Sequence, residues 1–307
     1  MEQTKQIVVI LFYKFHEIED PDYFARKQRA YCKKLGVVGK VLVAKEGINS
    51  SISGTRKQIE EYKKFIWSLK GFYDVRFKEE LAYEHPFTKL QVKVKKEIIR
   101  LDKKIDLKNR GEYIKPRNFL ALYENNEDFI ILDARNNYEY KIGRFKKAIN
   151  PKIKSFREFP RFVEKFEKEV DKNQKIITYC TGGIRCEKAS AYLKEKGFEN
   201  VYQLEGGIIN FCQQFPNTIW EGKCFVFDKR LISDINQNNK PITYCEICGV
   251  ISDLYRNCKN IYCDRLTIIC IKCQEKLHGC CSIKCKKMFE TYALERASVK
   301  RIKNPSG

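Results

Sequence analysis

The sequence predicts an α/β protein in three segments, on three observations. Residues 1–100 read as strand, helix, two strands, helix and strand. Residues 115–225 alternate apolar strand-like runs with helical ones, and residues 226–307 concentrate cysteine before a basic stretch. Residues 101–114 lack either periodicity and read as a linker. A chain of 307 residues has room for two or three domains of ordinary size.

In the first segment IVVILFYKF is a β-rich apolar run. DPDYFARKQRAYCKKLGV opens on Asp20-Pro21, a helix start, and continues with helical spacing of Tyr23, Phe24, Ala30, Tyr31 and Leu35. GKVLVAKEGINSSISG reads as two strands around a turn at Gly47. TRKQIEEYKKFIWSLKGF is an amphipathic helix with Thr55 as N-cap and Gly71 as stop. DVRFKEEL and KLQVKVKKEIIR are further strands. The order βαββαβ predicts a ferredoxin-like α+β sandwich, a fold that specifies little about function. In the second segment FIILDAR, KIITYC and ENVYQLEGGI are strands, separated by the helical stretches REFPRFVEKFEKEV and CEKASAYLKEKGF. Strands alternating with helices predict a parallel sheet, with chemistry at the C-terminal strand ends, where Cys180 falls.

Composition narrows the partners. Apolar residues at 43% and charged residues at 32% describe a globular chain. No run of 18 apolar residues occurs, so no membrane span is expected. MEQTKQIVVILFYKFHEIED turns acidic without a small-residue cleavage site, so a cytoplasmic protein is expected. The net charge of +21 divides as +8, +6 and +7 over residues 1–100, 101–225 and 226–307. A chain basic throughout points to a polyanion, nucleic acid first. There is no G-x-G-x-x-G fingerprint, so no nucleotide cofactor is expected.

The loop CTGGIR follows a strand and opens a helix. Backbone N–H groups and a helix N-terminus can converge there on one anion. A thiol in such a nest is favoured as thiolate, with Arg185 adding charge and the pair Gly182 and Gly183 supplying curvature. The loop Cys180, Thr181, Gly182, Gly183, Ile184 and Arg185 is therefore the expected active loop, with Cys180 reactive. Cys186 is a candidate resolving thiol, and Asp133 and Arg135 read as loop-bracing residues. The only histidines, His16, His85 and His278, lie outside the central segment, which argues against a Cys-His hydrolase. Cysteine phosphatases use Cys-x5-Arg; the shorter Cys-x4-Arg here suits a terminal sulfur better than a phosphate. Read from residues alone, the loop implies a sulfurtransferase.

The central segment resembles rhodanese domains, through LDARNNYEY (Asp133, Arg135, Glu139), GRFKKAIN (Gly143, Ala148, Asn150), CTGGIRC and LEGGI. Together with AKEGINSSISG, GKCFVFDKR and the Cys-rich tail, it resembles the rhodanese-domain tRNA uridine hydroxylases over about residues 5–290. Gly143-Arg144 departs from the family's usual glycine–histidine pair. The resemblance implies oxygen-dependent conversion of wobble uridine to 5-hydroxyuridine, molecular oxygen as co-substrate, the tRNA anticodon region as partner, and Cys180 acting as a persulfide. A thiosulfate-type sulfurtransferase without RNA, and a non-catalytic adaptor, are the competing readings.

Nine of the fourteen cysteines lie between Cys245 and Cys285. In a cytosolic chain such clustering points to metal rather than disulfides. The expected zinc ligands, for one or two sites, are Cys245, Cys248, Cys258, Cys263, Cys270, Cys273, Cys280 and Cys285. Spacing does not say which share an ion, and the interleaved sets Cys245/Cys248/Cys270/Cys273 and Cys258/Cys263/Cys280/Cys285 are one possibility. His278 is a weaker candidate ligand, and Cys224 is expected to pack. The basic run KKMFETYALERASVKRIK is expected to be a solvated helix.

Overall fold

The computed structural model describes residues 6–233, 236 and 240–292. The first domain comprises β1 (Ile7–Phe15), α1 (Pro21–Leu35), β2 (Val38–Ala44), β3 (Gly47–Thr55), α2 (Arg56–Trp67), β4 (Lys78–Ala82) and β5 (Leu90–Val94). Asp20 caps α1 by accepting from the Tyr23 N–H at 2.8 Å, and Gly36 ends it in the left-handed region at φ 75°. A capping box of Thr55 and Gln58 starts α2, which ends at Ser68, short of Gly71. The sheet order β4-β1-β3-β2 is the ferredoxin-like arrangement, and β5 adds a fifth strand parallel to β2. Alternate residues divide the sheet. Val8, Ile10 and Phe12 face the helices in the core, while Val9, Leu11 and Tyr13 face the other way, towards the second domain.

That domain contains β6 (Glu112–Ile114), α3 (Pro116–Glu124), β7 (Ile130–Asp133), α4 (Asn137–Ile142), β8 (Gly143–Phe145), α5 (Phe159–Phe166), β9 (Ile176–Tyr179), α6 (Ile184–Glu195), β10 (Val201–Leu204) and α7 (Gly207–Gln214). Its main sheet, β6-β10-β9-β7, is parallel throughout. The expected linker is partly built into it. Glu112–Ile114 pair with Tyr202–Leu204, the Gly111 N–H donates to Ser190 Oγ at 3.0 Å, and Leu101 is buried. A three-residue edge strand is too short to show a period.

The third segment begins on the second domain. β11 (Trp220–Gly222) pairs with β8, and β12 (Cys224–Phe225) pairs with β13 (Ile232–Ser233). β14 (Tyr255–Asn257) and β15 (Leu266–Ile268) form a ribbon, followed by α8 (Ile271–Lys276). Residues 283–292 are helical; the rest of the basic run lies outside the described residues. The apolar cluster here is small and made largely of Cys245, Ile269, Cys273 and Leu277.

Arg185–Leu193 of α6 are buried on every side. The helix keeps Glu187 and Lys188 inside because the first domain and the segment leading into β6, where Arg110 lies 3.1 Å from Glu187 Oε2, supply their partners. Glu187 Oε1 accepts from the hydroxyls of Tyr13 at 2.8 Å and Tyr113 at 2.6 Å. Lys188 Nζ lies 2.8 Å from Glu46 and 2.6 Å from Glu97. Buried charges persist only when paired in this way.

Candidate active site and thiol clusters

β9 delivers Cys180 to the C-terminal edge of the parallel sheet, and α6 begins four residues later. Gly183 stands before the helix at φ 100°, which turns its N–H back onto Cys180 Sγ at 3.1 Å. The amides of Arg185 and Cys186 also face the sulfur. Burial alone would raise the Cys180 pKa. The Cys186 thiol donating to it, the Arg185 charge and these amides outweigh burial and bring it down to about 5. Burial and the neighbouring thiolate push Cys186 the opposite way, so it stays protonated as the donor. The other buried thiols show what the cradle does: burial pushes Cys32 and Cys224 up to about 12.

Arg185 does not present a free fork. Its Nη1 donates to Glu139 Oε2 at 2.6 Å and its Nη2 to Oε1 at 2.7 Å. Glu139 is fixed in turn by the N-terminal capping box of α4, accepting from the Asn136 N–H at 3.1 Å. Asp133 and Arg135 form a second buried pair beneath the loop. Arg135 Nη2 lies 2.6 Å from Asp133 Oδ2, the Tyr179 hydroxyl donates to the same oxygen at 2.6 Å, and Arg135 also donates to the Gly143 carbonyl at 2.7 Å. This pair ties β7, β8 and β9 together.

Cys180 is itself fully buried, yet it lines the floor of a cavity of about 750 Å³ between the domains. One wall is the outward face of the first sheet, with Leu11, Tyr13, Lys40 and Lys78. Another is the active loop, and Phe227 and Arg230 close a third side. The glycine pair is needed for this approach. A Cβ on Gly182 would lie 2.7 Å from Leu11 Cδ2, and one on Gly183 would lie 3.0 Å from the Tyr13 hydroxyl. Lys78 projects from β4 with its amine 5.3 Å from the centre of the Tyr13 ring. Burial lowers its pKa to about 8, against the opposing pull of Cys180 and Glu187. Phe227 is 58% exposed, with the Arg185 guanidinium 5.7 Å from its ring centre.

Two tetrads of thiols lie in the third segment, Cys245, Cys248, Cys270 and Cys273, and Cys258, Cys263, Cys281 and Cys285. Within each, all sulfurs lie within 4.8 Å of one another. Cys248 and Cys270 are 3.7 Å apart, Cys263 and Cys281 3.6 Å, and Cys281 and Cys285 3.7 Å. Tetrahedral zinc with bonds of about 2.3 Å separates its thiolates by about 3.8 Å. The donor sets therefore fit zinc. The pairs interleave, one of the groupings that spacing leaves open, and Cys281 stands where Cys280 was expected. Ser282 accepts from the Cys285 N–H at 3.1 Å and so starts the last helix, which sets Cys281 and Cys285 on one side of that turn. Cys280 stays buried beside Cys258, outside the tetrad. His278 joins neither set; its Nδ1 lies 2.8 Å from Glu290.

Sequence reasoning missed Glu139 as the partner of Arg185 and missed the roof of the cavity. The alternation Val9, Leu11, Tyr13 marks a second covered face of β1 and was the available signal. Fold and site together define a rhodanese-type thiol protein whose active loop is covered by an acylphosphatase-like domain. Residues 7–98 match the UPF0176 acylphosphatase like domain, residues 116–214 the rhodanese-like domain and residues 221–286 the rhodanase C-terminal domain. The chain is 41% identical over 287 residues to the tRNA uridine(34) hydroxylase of Cytophaga hutchinsonii, covering 92% of this chain and 90% of that one. It is 41% identical to the protein of the same name from Onion yellows phytoplasma, covering 93% and 94%. With that of Staphylococcus epidermidis it shares 40%, covering 91% and 88%. The chain belongs to the tRNA uridine(34) hydroxylase family.

Proposed function

We infer that this chain is a tRNA-modifying oxidoreductase that hydroxylates uridine 34, giving 5-hydroxyuridine, with Cys180 as the reacting group. The observation that carries the site assignment is an ionised thiol at the floor of a cavity of about 750 Å³. That volume lies in the range of small-ligand sites, about 300–1,000 Å³, and admits an unstacked nucleoside. The anticodon is single-stranded, so its base can be splayed out and stacked on an aromatic side chain. Phe227 offers such a face at the cavity rim. Molecular oxygen is the co-substrate in this reading, and Cys186 keeps the Cys180 sulfur anionic. The two tetrads hold structural zinc. Among the described residues no helix is long and apolar enough to cross a membrane, which accords with action on cytoplasmic tRNA.

Thiosulfate-type sulfur transfer without RNA is not favoured, because the hydroxylase relatives match all three segments. The test compares tRNA nucleosides by mass spectrometry in cells lacking the chain and supplied with wild type or Cys180→Ser. Wild type restores 5-hydroxyuridine, and the variant binds tRNA without restoring it. Retention of the mark with the variant alone refutes the role of Cys180. Rapid RNA-independent turnover of thiosulfate would favour the alternative.

A further inference from the structure

β2 and β5 run parallel at one edge of the first sheet, with Lys40 beside Gln91 and Leu42 beside Lys93. Val92 points into the helix-covered core. Lys93 and Lys95 therefore stand on the opposite face, the face that Lys40 and Leu42 share. The Lys95 N–H donates to the Val43 carbonyl at 2.8 Å, which keeps this residue in line with the strand. Lys40, Leu42 and Lys95 line the Cys180 cavity.

Three ammonium groups thus crowd one strip at the mouth of the site, and all three residues are exposed. Partial loss of hydration lowers the Lys40 pKa, and the charges of Lys93 and Lys95 lower it further. Among the described residues, no carboxylate pairs with any of the three. Acids are within reach along the chain but are engaged elsewhere: Glu97, two residues past Lys95, holds Lys188 at 2.6 Å. Other lysines of this domain do find partners, such as Lys14 with Asp74 at 2.6 Å. The strip carries mutual repulsion that the folded chain leaves uncompensated, and a bound polyanion would relieve it.

We propose that Lys40, Lys93 and Lys95 form a phosphate-binding strip that seats the backbone of single-stranded RNA beside the Cys180 cavity. The identity of the RNA rests on the hydroxylase reading; the strip adds where its backbone runs. Lys93 and Lys95 repeat about 6.6 Å apart along the strand, the scale of one nucleotide step. Phosphate contacts of this kind fix register without reading sequence, so base selection falls to the cavity.

The test uses the full-length chain and an anticodon stem-loop RNA carrying uridine at position 34. A triple Lys→Ala variant at Lys40, Lys93 and Lys95 is compared with a triple Lys→Ala variant at Lys27, Lys33 and Lys34. The latter are exposed on α1, across the sheet from the cavity, and remove the same charge. Affinity is measured against salt, and the alkylation rate of Cys180 confirms that each variant keeps its active loop. The strip variant should weaken binding at least about tenfold. It should also flatten the slope of log K against log salt by about 2, since each phosphate neutralised on a single strand contributes ~0.7. The α1 variant should change both far less. Equal losses in the two variants, or an unchanged strip variant, overturn the strip while leaving the hydroxylase reading intact. Failure of wild type to bind the RNA overturns that reading and the strip with it.

Discussion

Cysteine serves two opposite purposes in the second domain and in the third segment. At position 180 one sulfur is held by backbone amides, a neighbouring thiol and a guanidinium, and the protein supplies every group that stabilises its charge. In the tetrads four sulfurs converge, and although backbone amides such as those of Cys273 and Cys281 donate to Cys270 and Cys258, the mutual repulsion of four thiolates calls for a cation. A thiolate whose charge the fold balances is free to react; one that needs a metal is committed to structure.

The largest test of this contrast is metal removal. A structural zinc contributes on the order of 10 kcal/mol to folding, and the apolar cluster around Cys245 and Leu277 is too small to replace it. Chelation should therefore unfold residues 240–292, seen as lost amide-exchange protection, with two zinc ions released per chain. The Cys180 loop should keep its protection. Protection retained in the third segment after complete metal loss would erase the distinction.

Glu139→Gln comes next. It leaves Arg185 buried without its carboxylate, which should cost about 3–5 kcal/mol in denaturant unfolding. The unneutralised guanidinium should also lower the Cys180 pKa further, so alkylation at acid pH speeds up while stability falls. A variant that loses stability with slower alkylation would show that the Glu139 pair aids the thiolate by geometry rather than charge.

Cys186→Ala removes a donor from the Cys180 sulfur, so its pKa should rise from about 5. The thiolate exists above its pKa. The alkylation profile should therefore shift to higher pH, with the rate at pH 6 falling and the rate at pH 9 kept. The smallest change is expected of Lys78→Met. Lys78 shares the cavity and feels the Cys180 charge, and reciprocity requires a slight rise in the Cys180 pKa when its ammonium is lost. No shift in that profile would remove Lys78 from the electrostatics of the sulfur.

The sequence carries the active loop almost whole, because strand, thiol, glycine pair and helix lie within a dozen residues and their chemistry is local. The caps at Asp20 and Thr55 are legible for the same reason. The Arg185 partner is not, since Glu139 lies 46 residues away and only the fold brings it near. The choice between Cys280 and Cys281 turns on one rotation of the backbone before Ser282, and spacing does not record it. Nothing local in α6 marks Glu187 and Lys188 as buried; Tyr13, Glu46 and Glu97, distant in sequence, make them an interface.

The close packing of Leu11 and Tyr13 on Gly182 and Gly183 has a consequence for how this catalyst can be taken apart. The Cys180 loop and its ceiling are encoded some 170 residues apart, so the rhodanese-like portion is not a transferable cassette. Excised as residues 116–214, it would carry the sulfur but expose α6 carboxylate and ammonium groups stripped of their partners, over a floor open to bulk water. Recombination between relatives should therefore exchange the two domains together, or not at all.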